Sequence, residues 1–156
     1  MHTIIVLAMH GAPPKDFPQQ EMAELFGLHT RLAHADPAQR AALKQRHDML
    51  EAKMRAWPRT AANDPFYAAS QELAAQLRSA AGCDVVLGFN EFCAPTLDEA
   101  LDEAAKRGAE RVVITTPMMT RGGEHATLDI PRAIQAAQER HPEIALARVP
   151  EAVAGG

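Results

Sequence analysis

Two histidines and a glutamate occupy the positions in this sequence where side chains are best placed to do chemistry. His10 follows a short apolar, β-branched run, Thr3–Met9, and opens the segment His10-Gly11-Ala12-Pro13. Glu91 sits in Phe89-Asn90-Glu91-Phe92, directly after a second such run at residues 84–88. His125 stands just past Gly122-Gly123 in the stretch 115–131, TTPMMTRGGEHATLDIP, which follows a third run at residues 111–116. Each of the three therefore lies on a loop leaving a strand. A neutral imidazole is a base near pH 7 and a borderline ligand for divalent iron, cobalt, nickel or zinc. Two imidazoles and a carboxylate can hold such a cation without caging it, or accept protons from a bound molecule. A lone loop histidine is more often an ordinary solvated residue, and Glu91 by itself reads equally well as a cap or a partner of Arg121. The shared position after three strands is what joins them.

For these groups to meet, the strands must be parallel members of one sheet. Right-handed crossovers return each strand in the same direction, so all three loops emerge on one edge, where open α/β sheets bind their ligands. The rest of the chain fits that plan. Residues 3–9, 84–88, 111–116 and 144–149 read as strands. Helical periodicity marks residues 20–34, with Met22, Leu25, Phe26, His29 and Leu32 as an apolar stripe. A second helix opens at Asp36-Pro37 and spaces Leu43, His47, Leu50, Met54 and Trp57. A third runs from Asp64-Pro65 to Gly82 with Phe66, Leu73, Ala74 and Leu77 inward. The fourth opens on Thr96 with Glu99 three residues on, the spacing of a capping box, and runs to Gly108. The fifth, residues 131–140, opens on Asp129 as cap and Pro131 in the first turn. The expected fold is α/β, a doubly wound, mostly parallel four-stranded sheet with helices on both faces. Residues 1–156 form one domain on this reading, with a helical insertion at about 13–63.

Composition narrows the function classes. The 156 residues carry a net charge of −4, and their 16 Lys and Arg are spread along the chain, which argues against nucleic-acid binding. The apolar run at 4–9 is too short for a membrane span or a signal-peptide core and follows no basic segment, so a cytoplasmic protein without membrane contact is expected. Cys83 and Cys93 lack the paired spacing of a zinc or redox site and read as small buried apolar residues. His29, His34 and His47 read as surface or satisfied boundary residues of the helices.

Three stretches together resemble a known family. Met9-His10-Gly11-Ala12, Gly88 to Leu97 (GFNEFCAPTL), and Pro117 to His125 (PMMTRGGEH) continuing to Asp129-Ile130-Pro131 look like the small class II chelatases, the sirohydrochlorin cobaltochelatases and ferrochelatases. The likeness covers residues 3–12 and 83–149, and the G-x-H-x-x-x-D-I-P ending is its most specific part. It implies a chelatase-like α/β fold and insertion of a divalent metal (cobalt, iron or nickel) into sirohydrochlorin or a related tetrapyrrole, on the routes to siroheme or cobalamin. It matches His10 and His125 to the family's paired active-site histidines, as metal-guiding bases, and Glu91 to its acidic residue. The metal is then a substrate, with no tightly bound cofactor. Substrate carboxylates would meet Arg121, Gly122 and Gly123, with Lys15, Arg132 and the helix N-termini near Thr96 and Asp129 as further candidates. The chain departs from the family at Met9 and Ala12, at Ala94, and at Met118-Met119, positions that shape a pocket without removing a proposed catalytic group.

The residue types suit that reaction. A metal entering the macrocycle displaces two pyrrole protons, so the site needs groups that accept protons and guide a cation. The competing reading is a non-catalytic metal- or tetrapyrrole-binding module. A phosphate-binding loop is disfavoured, because Met9-His10-Gly11-Ala12-Pro13-Pro14 lacks the glycine spacing and free N–H groups of one. A single copy of the unit offers half of a two-lobed cleft, which leads us to expect a homodimer. The insertion is expected to cap the cleft or the interface, burying its apolar stripes on the sheet layer or a partner subunit.

Overall fold

The computed structural model describes residues 1–117 and 130–149. Among them four strands, β1 (Thr3–Met9), β2 (Asp84–Phe89), β3 (Arg111–Thr115) and β4 (Ala145–Arg148), form one sheet of order β2-β1-β3-β4. All three pairings are parallel, as the doubly wound reading requires. Five helices connect them: α1 (Gln19–His34), α2 (Pro37–Arg55), α3 (Pro65–Ala81), α4 (Leu97–Lys106) and α5 (Ile130–Arg140).

Alternation along β1 decides which side chain meets which layer. Ile4, Val6 and Ala8 enter the larger core with Val112 and Ile114 of β3, Leu97, Ala100, Leu101 and Ala104 of α4, and Ile130 and Ala137 of α5. Leu7 and Met9 point the other way, onto Ala74, Tyr67 and Leu77 of α3. The central strand is thus covered on both faces, which is why its sequence is apolar throughout. On β2, Gly88 allows α4 to sit directly on the sheet. A Cβ there would lie 2.9 Å from Ala100 Cβ and 3.0 Å from Leu97 Cα.

Helix starts follow the sequence signals. Asp36 Oδ1 accepts from Gln39 N–H at 3.0 Å, and Asp64 Oδ1 from Tyr67 N–H at 2.9 Å. The Thr96–Glu99 capping box is complete. Gly82 ends α3 in the left-handed conformation at φ 67°, where a residue without Cβ costs least.

The helix faces are rotated from expectation in two places. On α1 the buried residues are Leu25 and Leu28, whereas Phe26 is 43% exposed. On α3, Phe66 and Leu73 face solvent, and Tyr67, Ser70, Ala74 and Leu77 turn inward. The single aromatic ring or leucine that best completes a 3.6-residue stripe is not always the one a neighbouring layer reaches. Cys93 is buried, and burial raises its thiol pKa, while Cys83 is only half-buried.

The insertion does not bury its stripes on the sheet. α1 and α2 pack on each other around Phe17, Leu25, Leu28, Leu50 and Met54. Glu24–Arg46 at 2.7 Å and Glu21–Lys53 at 2.8 Å cross between them and fix an antiparallel hairpin. Phe92, from the loop after β2, joins this small core and stands edge-on to Phe26. The hairpin is thereby tied to the carboxyl edge of the sheet. No helix among the described residues is long and apolar enough to cross a membrane.

Candidate functional site

Register brings the first two candidate residues together. Met9 pairs with Phe89, and Asn90 N–H donates to Met9 O at 2.9 Å, so the loops after β1 and β2 leave the sheet at the same level. His10 Nδ1 then lies 2.8 Å from Glu91 Oε1, with the imidazole 42% and the carboxylate 28% exposed. With Nδ1 donating to the carboxylate, a neutral ring carries its lone pair on Nε2, the arrangement that orients a metal-binding imidazole. Both groups reach solvent. The third strand ends beside them, with Thr115 paired to Leu7 of β1.

Local sequence explains the closeness. A Cβ on Gly11 would fall 1.6 Å from Glu91 O and 2.7 Å from its carbonyl carbon, so only glycine lets the two loop backbones touch. Beyond Glu91 the chain reverses sharply. Phe92 adopts φ 62°, a conformation unfavourable for an aromatic residue, and Cys93 N–H donates back to Glu91 O at 2.8 Å.

A residue that sequence reasoning missed holds this turn. Arg59 donates to Ala12 O at 2.6 Å in the loop after β1, to Phe92 O in the loop after β2, and to Met54 O at 2.7 Å at the end of α2. Its Nη1 also lies 2.5 Å from Asp64 Oδ2, both side chains being almost fully buried at 4% and 1%. Asp64 therefore caps α3 and anchors the clamp at once. Arg59 sits between a proline and a threonine in a stretch without periodicity, so nothing in its sequence surroundings marks it. The buried Asp64 was visible only as a helix cap.

Asn90, the residue before Glu91, walls a cavity of about 420 Å³ with Thr96, Asp98, Arg55 and Arg132, among others, although neither His10 nor Glu91 lines it. Arg132 and the α4 start at Thr96 were expected to receive carboxylates, and the structure adds Arg55. Lys15 is exposed elsewhere on the loop after β1. A wider cleft of about 620 Å³ along the outer edge of β2 likewise has neither His10 nor Glu91 in its walls, and lacks Asn90 too. Arg121, Gly122, Gly123 and His125 lie outside the described residues, as does the Asp129 cap.

Of the other histidines, His141 bonds Asp102 at 2.8 Å and links α5 to α4. His29 and His47, expected to be ordinary helix-surface residues, face each other across the hairpin with ring centroids 5.8 Å apart.

The sequence model of the CbiX family matches residues 60–150, more than half of the 156-residue chain. The chain belongs to the CbiX family. The matched span takes in α3 through β4 and with it Glu91, while β1, His10 and the α1–α2 hairpin precede it. Among relatives, this CbiX chain is 35% identical over 57 residues to the sirohydrochlorin cobaltochelatase of Methanocaldococcus jannaschii, covering 36% of the chain and 39% of that protein. It is 42% identical over 50 residues to the sirohydrochlorin cobaltochelatase of Saccharolobus solfataricus, covering 32% of the chain and 38% of that protein. The aligned segments thus span well under half of these relatives. The crystal structure of a cobalamin (vitamin B12) biosynthesis CbiX protein from Marinobacter aquaeolei VT8 superposes with a TM-score of 0.52 at 14% identity, over 94% of this chain and 79% of that one. The chelatase-like α/β fold expected from the sequence is therefore the fold of this CbiX chain.

Proposed function

We propose that the chain is a metal chelatase that inserts a divalent cation (Co²⁺, Fe²⁺ or Ni²⁺) into sirohydrochlorin or a related tetrapyrrole. The observation that carries this is the 2.8 Å contact between His10 and Glu91 at the carboxyl edge of the sheet, in a chain of the CbiX family. The names of the matched relatives, sirohydrochlorin cobaltochelatases, support the substrate class.

In this reading the cation is a substrate and there is no resident cofactor. Glu91 fixes the imidazole of His10, so that the opposite ring nitrogen guides the cation toward the macrocycle. His10 and His125 accept the two protons that leave the pyrrole nitrogens as metal–nitrogen bonds form. Arg55 and Arg132, on the cavity beside Asn90, receive substrate carboxylates, as does the segment Arg121-Gly122-Gly123. Residues 1–156 act as one cytoplasmic unit that includes the hairpin and pairs as a homodimer, the partner supplying the other half of the cleft.

Anaerobic incubation of the protein with sirohydrochlorin and each of the three cations, followed through the visible spectrum, tests the proposal. Conversion above the spontaneous rate with at least one metal is expected. A chain that binds the tetrapyrrole or the metal without accelerating insertion would instead be a carrier.

A further inference from the structure

The α1–α2 hairpin gathers a second set of donor atoms away from His10. His47 and Glu51 are one turn apart on α2 and share a face. His47 Nδ1 lies 3.1 Å from Asp48 Oδ1 and 4.0 Å from Glu51 Oε2. One ligand atom from each of these three residues falls within 4.8 Å of the others. From α1, the His29 ring faces His47 at 5.8 Å between centroids, with planes inclined by 33°. Two imidazoles that share a metal at about 2 Å per nitrogen have ring centres about 5 Å apart. The observed separation is close to that, and the His29 ring must turn to bring a nitrogen to the three atoms of α2.

His29, His47 and Glu51, though not Asp48, open onto a cavity of about 210 Å³ between the hairpin and the loop after β2. Its polar wall is His29, His47, Glu51 and Glu91, and its apolar wall includes Leu25 and Phe92. Glu91 is the carboxylate that orients His10, so the hairpin donors share one small space with one member of the proposed catalytic pair. Lys44 balances Asp48 at 2.6 Å, and Arg55 balances Glu51 at 3.1 Å. Those ion pairs account for the carboxylates as a solvated helix face. They do not account for two imidazoles set against each other in the wall of a cavity.

We propose that His29, His47, Asp48 and Glu51 form a second divalent-cation site, which loads the metal and passes it across the cavity to Glu91 and His10. A mixed imidazole and carboxylate set suits borderline first-row cations such as Co²⁺ and Ni²⁺ better than Mg²⁺ or Ca²⁺, which prefer oxygen alone. The transfer step rests on the chelatase reading, whereas the site itself does not.

Titration of the full chain with Co²⁺, read through the paramagnetic shifts of the histidine ring protons, tests the site directly. The His29 and His47 signals should move at micromolar metal, in the native chain and equally in the His10→Ala variant. Calorimetric titration with Co²⁺ in the His10→Ala background reads the affinity where those rings are gone: adding His29→Gln and His47→Gln should weaken this binding step roughly 100-fold or more, beyond the ~10–100-fold that follows loss of a mere outer partner. Signals that stay in place up to millimolar Co²⁺, or an affinity that the two glutamine substitutions leave unchanged, would overturn the site. For the transfer step, the double variant His29→Gln/His47→Gln, with His10 in place, should raise the KM for Co²⁺ roughly 10-fold with kcat retained, the lower end of the same range; an unchanged KM removes it. If the native chain gives no insertion while the hairpin signals shift, the chelatase reading fails and the cation site stands.

Discussion

His10 Nδ1 and Glu91 Oε1 are 2.8 Å apart although 81 residues separate them in the chain. Nothing local to either residue produces that contact. It follows from the parallel pairing of β1 with β2 in a register that ends both strands together. If Glu91 orients His10 for a cation, Glu91→Gln should lower the insertion rate roughly 10–100-fold, the range for losing the outer partner of a metal-binding imidazole. His10→Ala and His125→Ala should each cost roughly 10²-fold or more, as for a positioned acid–base group. His141→Ala is the control. It should leave the rate alone while lowering the melting temperature, because it removes the bond to Asp102 that ties α5 to α4. Native turnover by the His10 variant would end the site assignment.

Gly11 is the next test of the same geometry. A methyl group at this position collides with the Glu91 carbonyl at 1.6 Å, so Gly11→Ala must push the two loops apart. Displacing a reacting group by about 1 Å costs on the order of 10²-fold in rate. The rate should therefore fall to about the level of the His10 variant. Because the loops lie at the sheet edge, the stability loss should stay within the roughly 1–3 kcal/mol typical of overpacking. Chelation assays and thermal melts on one preparation separate the two effects, and a Gly11→Ala protein with native activity would show that the close approach does not serve the site.

The sheet was legible in the sequence because its strands are covered on both faces and read as unbroken apolar runs. Helix starts were legible through Asp36, Asp64 and Thr96, whose side-chain caps are local signals. The meeting of His10 with Glu91 could be read from topology alone, since both follow strands that must be parallel. What could not be read was everything set by contacts between distant irregular segments. Arg59 gathers Ala12, Met54, Asp64 and Phe92, and no spacing rule connects those residues. The hairpin's partner was missed for a related reason. Amphipathic stripes say that a helix face is buried but not against what, and here α1 and α2 bury theirs on each other.

Acid should unfold this chain through a few surface networks. Asp84 is held below the usual carboxylate range by the hydrogen bond from Arg107, and Asp48 by that from Lys44. Burial would raise Asp102, but the bonds from His141 and Arg140 outweigh it and hold it low as well. All three carboxyls titrate lower folded than unfolded. Their contribution is therefore complete above the ordinary aspartate pKa of about 3.9, and is lost as pH falls through the lowered folded values. The melting temperature should be insensitive to these groups between neutral pH and about pH 5, and should drop below about pH 4. Asp84→Asn should flatten that drop. A melting temperature that falls mainly between pH 7 and 6 would place the controlling groups elsewhere.

The homodimer is tested by mass. Light scattering at working concentration should give twice the 16.9 kDa of the single chain. Deleting the hairpin, residues 14–63, with a short Gly-Ser bridge removes Arg59 as well, so it cannot separate the hairpin's role from the clamp's. The hairpin core is better probed by Leu50→Ala, which should cost about 2–5 kcal/mol for a buried leucine if the hairpin and the sheet unfold together. A melt in which the hairpin is lost first, with the sheet transition unchanged, would make it an independent unit. A mass of one chain would remove the partner from the proposed cleft.

Arg59 and Asp64 give the most discriminating stability experiment, because each side chain is almost wholly buried and each depends on the other. Replacing Arg59 by alanine leaves the Asp64 carboxylate buried without its cation and deprives Ala12 O and Phe92 O of a donor, a loss of roughly 3–5 kcal/mol for breaking a buried pair. Lysine should not rescue it. A single ammonium cannot reproduce the planar fork that serves two loops and a helix end together. Asp64→Asn in the Arg59→Ala background removes the orphaned charge and keeps an oxygen to cap α3, so the double variant should recover part of the stability lost by the single one. Activity should not recover with it, since the loops carrying His10 and Glu91 remain unclamped. Urea melts and insertion rates on the three variants read the two quantities apart. Recovery of both together would mean that Arg59 acts only on the fold, whereas recovery of stability alone makes it the residue that positions the site.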